Sequence, residues 1–130
     1  GEGCYEDERR VGTSGKLTLE KNTLMIVDGT SDIHVMLPLY ERAWVRNYGS
    51  AAFHIAGLSS GIFDAYVHMN HKAHELGAAY LFLKEAGGYL TTVEGEPFDH
   101  KPYVFDEVHK ILAAATPELA REIRNAITPS

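Results

Sequence analysis

The chain has a single cysteine, Cys4, and a single tryptophan, Trp44. One thiol excludes an intrachain disulfide framework, which fits a reducing compartment, so the cytoplasm is the expected location. It lacks an excess of positive charge: 12 Lys and Arg face 18 Asp and Glu, a formal net charge of -6. A nucleic-acid footprint needs a concentrated basic face, and Arg9-Arg10 is too short to supply one. No apolar run approaches the roughly 20 residues that span a bilayer, and no signal peptide is visible at the start. Neither nucleic acid nor membrane is therefore an expected partner. There is no initiator Met, as in a processed piece or a fragment. The Ser residues are scattered and form no nucleophile elbow.

What remains is an ordinary globular composition. The 130 residues are 45% hydrophobic and 23% charged, which suits one domain with a sizeable core. Gly1, Gly3, Gly12 and Gly15 around Glu6-Asp7-Glu8-Arg9-Arg10 indicate a solvated turn or hairpin. Leu17 and Leu19 alternate with polar neighbours, the pattern of a half-exposed strand. Leu24-Met25-Ile26-Val27, closed by Asp28-Gly29, reads as a buried strand. Residues 32–44 are ambiguous, because Pro38 interrupts any helix there or starts one. Val45 to Tyr48 is a further short strand. Ala51, Ala52, Ile55 and Leu58 have helical spacing, with Gly61 as a left-handed cap. Phe63 to Met69 is a strand ending near His68, and the next helix is expected to begin between Lys72 and His74. Leu76, Ala79, Tyr80 and Leu83 follow helical spacing, closed by Gly87-Gly88. Tyr89 to Val93 and Lys110 to Ala114 are strands on either side of a turn-rich loop, 95–102. Thr116 caps a last helix, with Pro117 at its first position and Leu119, Ile123 and Ile127 along one stripe. Strands alternating with helices predict an α/β fold, a single mixed sheet flanked by helices.

Strand ends that run into helix starts are where such sheets bind anions. Gly49-Ser50 opens a helix directly after a strand. It is either a plain Ser cap or a place where an anion meets free backbone N–H groups. Glu75 is either a carboxylate complementing a helix dipole or a hard oxygen ligand. Lys72 is either an exposed lysine or a phosphate contact. His68, His71 and His74 are spaced three apart and would form a metal site only on one continuous helix. Asp28-Gly29-Thr30 reads as a turn after a buried strand.

The order Arg46-Asn47-Tyr48-Gly49-Ser50-Ala51-Ala52, Gly61-Ile62-Phe63-Asp64-Ala65-Tyr66, Lys72-Ala73-His74-Glu75-Leu76-Gly77-Ala78-Ala79 and Glu85-Ala86-Gly87-Gly88 resembles the C-terminal half of the inositol monophosphatase family. That family includes archaeal enzymes that also act on fructose 1,6-bisphosphate. Gly1-Glu2-Gly3-Cys4-Tyr5 looks like the hairpin that opens this half, and Ile111 to Leu119 like its closing strand and helix. The resemblance covers nearly the whole chain, 1–130, and leaves the N-terminal, metal-binding half absent.

The resemblance implies a hydrolase of phosphate monoesters that uses Mg²⁺, with most metal ligands in the half not seen here. It implies that Gly49, Ser50 and Ala51 line the substrate pocket, that Lys72 suits a substrate phosphate, and that His68 stands where a carboxylate often contacts inositol hydroxyls; Arg46, just before the helix that opens at Gly49-Ser50, is a further phosphate-contact candidate from its place at the strand end. Counting back from Glu85-Ala86-Gly87-Gly88, Glu75 falls on a metal-binding Asp. The metal motif Asp-Pro-Ile/Leu-Asp-Gly-Thr is not matched, since Met25-Ile26 stands where Asp-Pro belongs. The chain is expected to supply substrate contacts and one metal ligand but no complete catalytic set. Its expected partners are an inositol or sugar phosphate and either the missing half or further copies of itself. The alternative is a non-catalytic phosphosugar-binding or regulatory module built on the same fold.

Overall fold

Leu24-Met25-Ile26-Val27 has no polar interruption because its strand is covered on both faces. In the computed structural model it is β3 (Leu24–Asp28), and Met25, Ile26 and Val27 are all buried. The structure describes residues 3–28, 33–48, 51–72, 76–96 and 108–127. A ribbon of β1 (Cys4–Glu6) and β2 (Arg9–Val11) precedes β3. After it come α1 (Ile33–Arg42), β4 (Trp44–Arg46), α2 (Ala51–Ser59), β5 (Ala65–Lys72) and α3 (Leu76–Glu85). The chain ends with β6 (Tyr89–Thr92), β7 (Val108–Ala114) and α4 (Pro117–Ile127).

The main sheet is five-stranded, in the order β4-β3-β5-β7-β6. β4, β3 and β5 are parallel. β7 runs antiparallel to both β5 and β6. The sheet is therefore mixed, as expected. α1 packs on α4 and α2 on α3, giving one helix pair for each face. Side-chain alternation divides the core accordingly. Met25, Val27, Val67 and Leu112 join Met36, Leu39, Leu119 and Ile123 under α1 and α4. Ile26, Tyr66 and Ile111 join Ile55, Leu58 and Leu83 under α2 and α3.

Local chemistry explains the element ends. Thr116 Oγ1 accepts the Leu119 N–H at 3.1 Å, with Pro117 as first helical residue, so the expected cap of α4 forms. α2 closes on Gly61 at φ 85°: the Ile62 N–H reaches Gly57 O at 2.8 Å and the Gly61 N–H reaches Leu58 O at 3.3 Å. α3 closes likewise on Gly87 at φ 86°. Both are paired six-to-one and five-to-two closures that need a left-handed residue.

Two expectations are corrected and one ambiguity, at Pro38, is settled. Lys16 to Glu20 is not a strand. Its backbone is claimed by side chains instead: Thr116 Oγ1 donates to Lys16 O at 2.7 Å, and the Leu19 N–H donates to Glu122 Oε1 at 3.1 Å. Pro38 lies inside α1. It removes one helical donor, but His34, one turn earlier, is exposed, so water can reach the carbonyl, and fully buried Met36 and Leu39 hold the helix to the sheet. Finally, β5 runs on to Lys72, so His68 is inside the strand and Lys72 ends it, with α3 beginning at Leu76. Pairing with β7 resumes at His71 and Lys72 after a register shift, which extends the strand past Met69, where the strand expected from the sequence ends.

Candidate functional site

Because β4, β3 and β5 are parallel, their carboxyl ends share one edge of the sheet. α2 starts after β4 and α3 after β5, so both helix starts lie at that edge, where open α/β sheets bind ligands. α1, between β3 and β4, lies on the opposite face from α2. The chain thus leaves β3 in one direction and β5 in the other, the arrangement of a topological switch point. Across it, Asp28 of β3 pairs in register with His68 of β5, and Ile26 pairs with both Arg46 and Tyr66. A bulge separates His68 from His71 and redirects the end of β5 that carries Lys72; bulges of this kind are common beside sites.

The expected site residues sort as follows. Arg46 is exposed at the end of β4, and its Nη1 donates to Val45 O at 2.9 Å. His68 is half-buried, its ring edge-on to Tyr66 with centroids 5.8 Å apart. Lys72 is the last residue of β5 and Ala51 the first of α2. Gly49, Ser50, His74 and Glu75 lie outside the described residues, as do Gly29 and Thr30. The edge therefore brings together Arg46, His68, Lys72 and the start of α2. His68 and His71 sit on a strand, not on a helix, so the three-residue spacing does not gather them on one helical face. Among the described residues no group of three or more His, Cys, Asp or Glu side chains could hold a metal ion, and these residues alone do not fit a Mg²⁺ centre.

One residue at this edge has no counterpart in the sequence-based expectations. His54 is fully buried, and its Nε2 accepts the Tyr48 N–H at 3.0 Å. It lies among Tyr48, Phe53, Phe63 and Tyr66, with ring centroids 5.1 to 6.5 Å away. The signal was present: His54 is the only ionisable residue in Ala51–Ser59.

Glu85-Ala86-Gly87-Gly88 does structural work. The Gly3 N–H donates to Glu85 Oε2 at 2.9 Å, and the Thr13 N–H donates to Ala86 O at 3.1 Å. Gly88 lies against Leu83 and Thr13, so a Cβ there would collide with Leu83. The motif ends α3 and fastens the ribbon to it. Asp64 performs a matching task for the following segment: its carboxylate accepts from Ser14 Oγ at 2.6 Å and from the Leu24 N–H at 2.8 Å.

On the outer side of α2 and α3 lies an apolar groove of about 370 Å³ lined by Tyr5, Val11, Phe53, Ala56, Ile62 and Phe82. Tyr5, Phe53, Ile62 and Phe82 are each more than half exposed, as is nearby Leu81. α4 instead buries Leu119, Ala120, Ile123 and Ile127 and turns charged residues outward. A helix that is apolar on both faces is normally covered on both. No helix among the described residues is long and apolar enough to cross a membrane.

The fold and this edge define an α/β sugar-phosphatase class of structure. Residues 1–128 match the model of the inositol monophosphatase family, and the chain belongs to that family. It is 34% identical over 120 residues to the inositol-1-monophosphatase of Bacillus subtilis, a match covering 87% of this chain and 43% of that protein. Its fold is similar to the extragenic suppressor protein suhB of Bartonella henselae, with a TM-score of 0.84 at 19% identity over 100% of this chain and 51% of the other. It is also similar to the inositol monophosphatase of Anabaena (Nostoc) sp. PCC 7120, with a TM-score of 0.80 at 23% identity over 98% and 52%. The chain thus spans about half the length of these relatives.

Proposed function

We infer that residues 1–130 form the C-terminal, substrate-binding half of a cytoplasmic, Mg²⁺-dependent phosphatase acting on inositol or sugar phosphates, including fructose 1,6-bisphosphate-like esters. The observation that carries this reading is the shared carboxyl edge, where α2 follows β4 with Arg46 at its end and α3 follows β5, which carries His68 and ends on Lys72. Backbone N–H groups at two helix starts favour an anion. Arg46 would grip a phosphate in bidentate fashion and Lys72 would act as a point charge. Gly49, Ser50 and Ala51 would line the pocket, and His68 would meet the sugar hydroxyls.

Mg²⁺, when bound to the complete enzyme, would polarise the ester and supply an activated water. Glu75 would be this chain's single contribution to it. The remaining metal ligands would come from the part of the relatives' length that this chain does not span. The apolar outer side of α2 and α3 would pack against that half, or against another copy of this chain.

A second reading, a non-catalytic phosphosugar-binding or regulatory module, is favoured by Glu75 and His68 themselves. Each departs from the residue the family resemblance implies. An added methylene at Glu75 displaces an oxygen ligand from the near-ideal octahedron that Mg²⁺ demands.

The test is an NMR titration with inorganic phosphate. The amides of Gly49 to Ala51 and of Lys72 to Leu76 are expected to shift together, with affinity near millimolar, about 4 kcal/mol. Shifts in one group only, or elsewhere, refute the pocket. The coding sequence upstream of Gly1 separates the two readings: an acidic metal motif there supports the phosphatase.

A further inference from the structure

α2 and α3 are apolar on the side away from the sheet as well as on the side toward it. Ile55 of α2 and Leu83 of α3 pack on the sheet. At 3.6 residues per turn, a residue two positions from one that faces the sheet faces away from it. Phe53 and Leu81 hold those positions, and each is more than half exposed. The groove of about 370 Å³ between these helices and the β1–β2 ribbon has no charged residue in its lining. The chain itself carries a formal net charge of -6. Two copies that meet through charged surfaces repel one another, whereas at this lining no like charges are opposed. The area also fits. At roughly 200 Å² for a whole aromatic side chain, the half-exposed rings of Tyr5, Phe53 and Phe82 leave on the order of 300 Å² open. A standard interface takes about 800 Å² from each partner, a little over half of it apolar. Ile62, Leu81 and Ala56 bring the patch close to that apolar share.

We propose that the α2–α3 face is the interface of a two-fold dimer of this chain, with Leu81 of each copy seated in the groove of the other. The groove and the projecting leucine lie on the same face. A two-fold axis therefore sets each against its counterpart, makes the same contact twice and closes at two copies. Ala56 is exposed and lines the groove, and its small side chain leaves room for a leucine. α4 offers no such surface, since it buries its apolar stripe and turns charged residues outward. The proposal stands apart from the phosphatase reading, because it uses no residue of the carboxyl edge of the sheet.

The test is sedimentation of the full chain over a range of concentrations. Ala56→Arg blocks the groove, and Leu81→Gln removes the projecting side chain without adding charge. Both positions are exposed, and thermal melting checks that both variants fold. Arg121→Gln, on the exposed side of α4, is the control. The wild type is expected to show a monomer–dimer equilibrium, each interface variant to dimerise on the order of tenfold more weakly, and Arg121→Gln to match the wild type. An equimolar mixture of the two interface variants is expected to dimerise more tightly than either alone. In the mixed dimer, Leu81 of the Ala56→Arg copy enters the open groove of the Leu81→Gln copy, so one of the two contacts survives.

A strict monomer would overturn the proposal, and one that still binds an apolar dye would show that this face takes a different occupant. Association that continues past the dimer would also overturn it, since a two-fold contact closes. So would a dimer that neither interface variant weakens, or a mixture no tighter than its components, because the leucine and the groove would then not be partners.

Discussion

Glu85 and Gly3, 82 residues apart, are joined by a 2.9 Å hydrogen bond from the Gly3 N–H to Glu85 Oε2. The bond fastens the β1–β2 ribbon to the end of α3. It also stabilises the charged carboxylate, holding the Glu85 carboxyl below its usual range. A depressed folded value means that the contribution is fully present above the unfolded value, near 4.5, and fades as pH falls through the lower folded value. Glu85→Gln is therefore expected to melt at a lower temperature than the wild type at neutral pH. The two melting curves should converge in acid. Thermal unfolding across pH checks this, and a pH-independent gap would refute it. Hydrogen exchange in the ribbon should quicken in the variant.

Two glycines should respond differently to alanine. A methyl at Gly57 would run into the Phe63 ring, whereas one at Gly88 would meet Cδ1 and Cγ of Leu83. Both side chains are buried; the smaller aliphatic Leu83 is expected to repack more easily than the Phe63 ring. Gly57→Ala is expected to cost about 1–3 kcal/mol by overpacking, and Gly88→Ala less. Chemical denaturation of both variants decides the order. A less stable Gly88→Ala would show that the Thr13 side of the motif is the rigid one.

Thr116 serves two partners, capping α4 through Leu119 and bonding Lys16 O. Thr116→Ala is expected to lose about 1–2 kcal/mol, the upper part of the range for an N-cap. Thr116→Ser, which keeps the hydroxyl, should recover most of it. Equal losses in both variants would mean that the methyl, not the oxygen, matters.

The parts of the fold that were legible in the sequence are those where one local cause decides. The continuous apolar run Leu24 to Val27 marked β3, Thr116-Pro117 marked the start of α4, and Gly61 and Gly87 marked the ends of α2 and α3. The segment from Lys16 to Glu20 misled because period-2 alternation records burial, not pairing. Leu19 is buried, but its N–H is held by Glu122, which is 103 residues away. The same limit applied at the site. Arg46, His68 and Lys72 were recognisable as candidates, yet their common edge depends on the parallel order of β4, β3 and β5. His54 was overlooked because an isolated histidine in an apolar helix shows its partner, the Tyr48 backbone, only once α2 has folded.

The apolar face of α2 and α3 yields a solution prediction. Phe53, Ile62, Leu81 and Phe82 are each more than half exposed on it, and exposed apolar patches of this kind mark association sites. The chain is expected to self-associate as concentration rises and to bind an apolar dye. Phe82→Glu, at an exposed position, should reduce both without unfolding the chain. Sedimentation showing a strict monomer with no dye binding would argue that the groove is too small to drive association.

Activity of the chain alone is the sharpest test of the half-site reading. Two-metal phosphoryl chemistry needs several carboxylate ligands, and here Glu75 is the one candidate that the family resemblance supplies. The purified chain is therefore expected to show no Mg²⁺-dependent release of phosphate from inositol monophosphate or fructose 1,6-bisphosphate. The assay should include Glu75→Ala, because a trace contaminant would be insensitive to it. Turnover that follows the chain through purification and vanishes in Glu75→Ala would show that this half carries a working metal centre. The reading would then change from a substrate-binding half to a complete enzyme whose ligands are supplied by residues outside the described set, or by a second copy meeting it across the α2–α3 face.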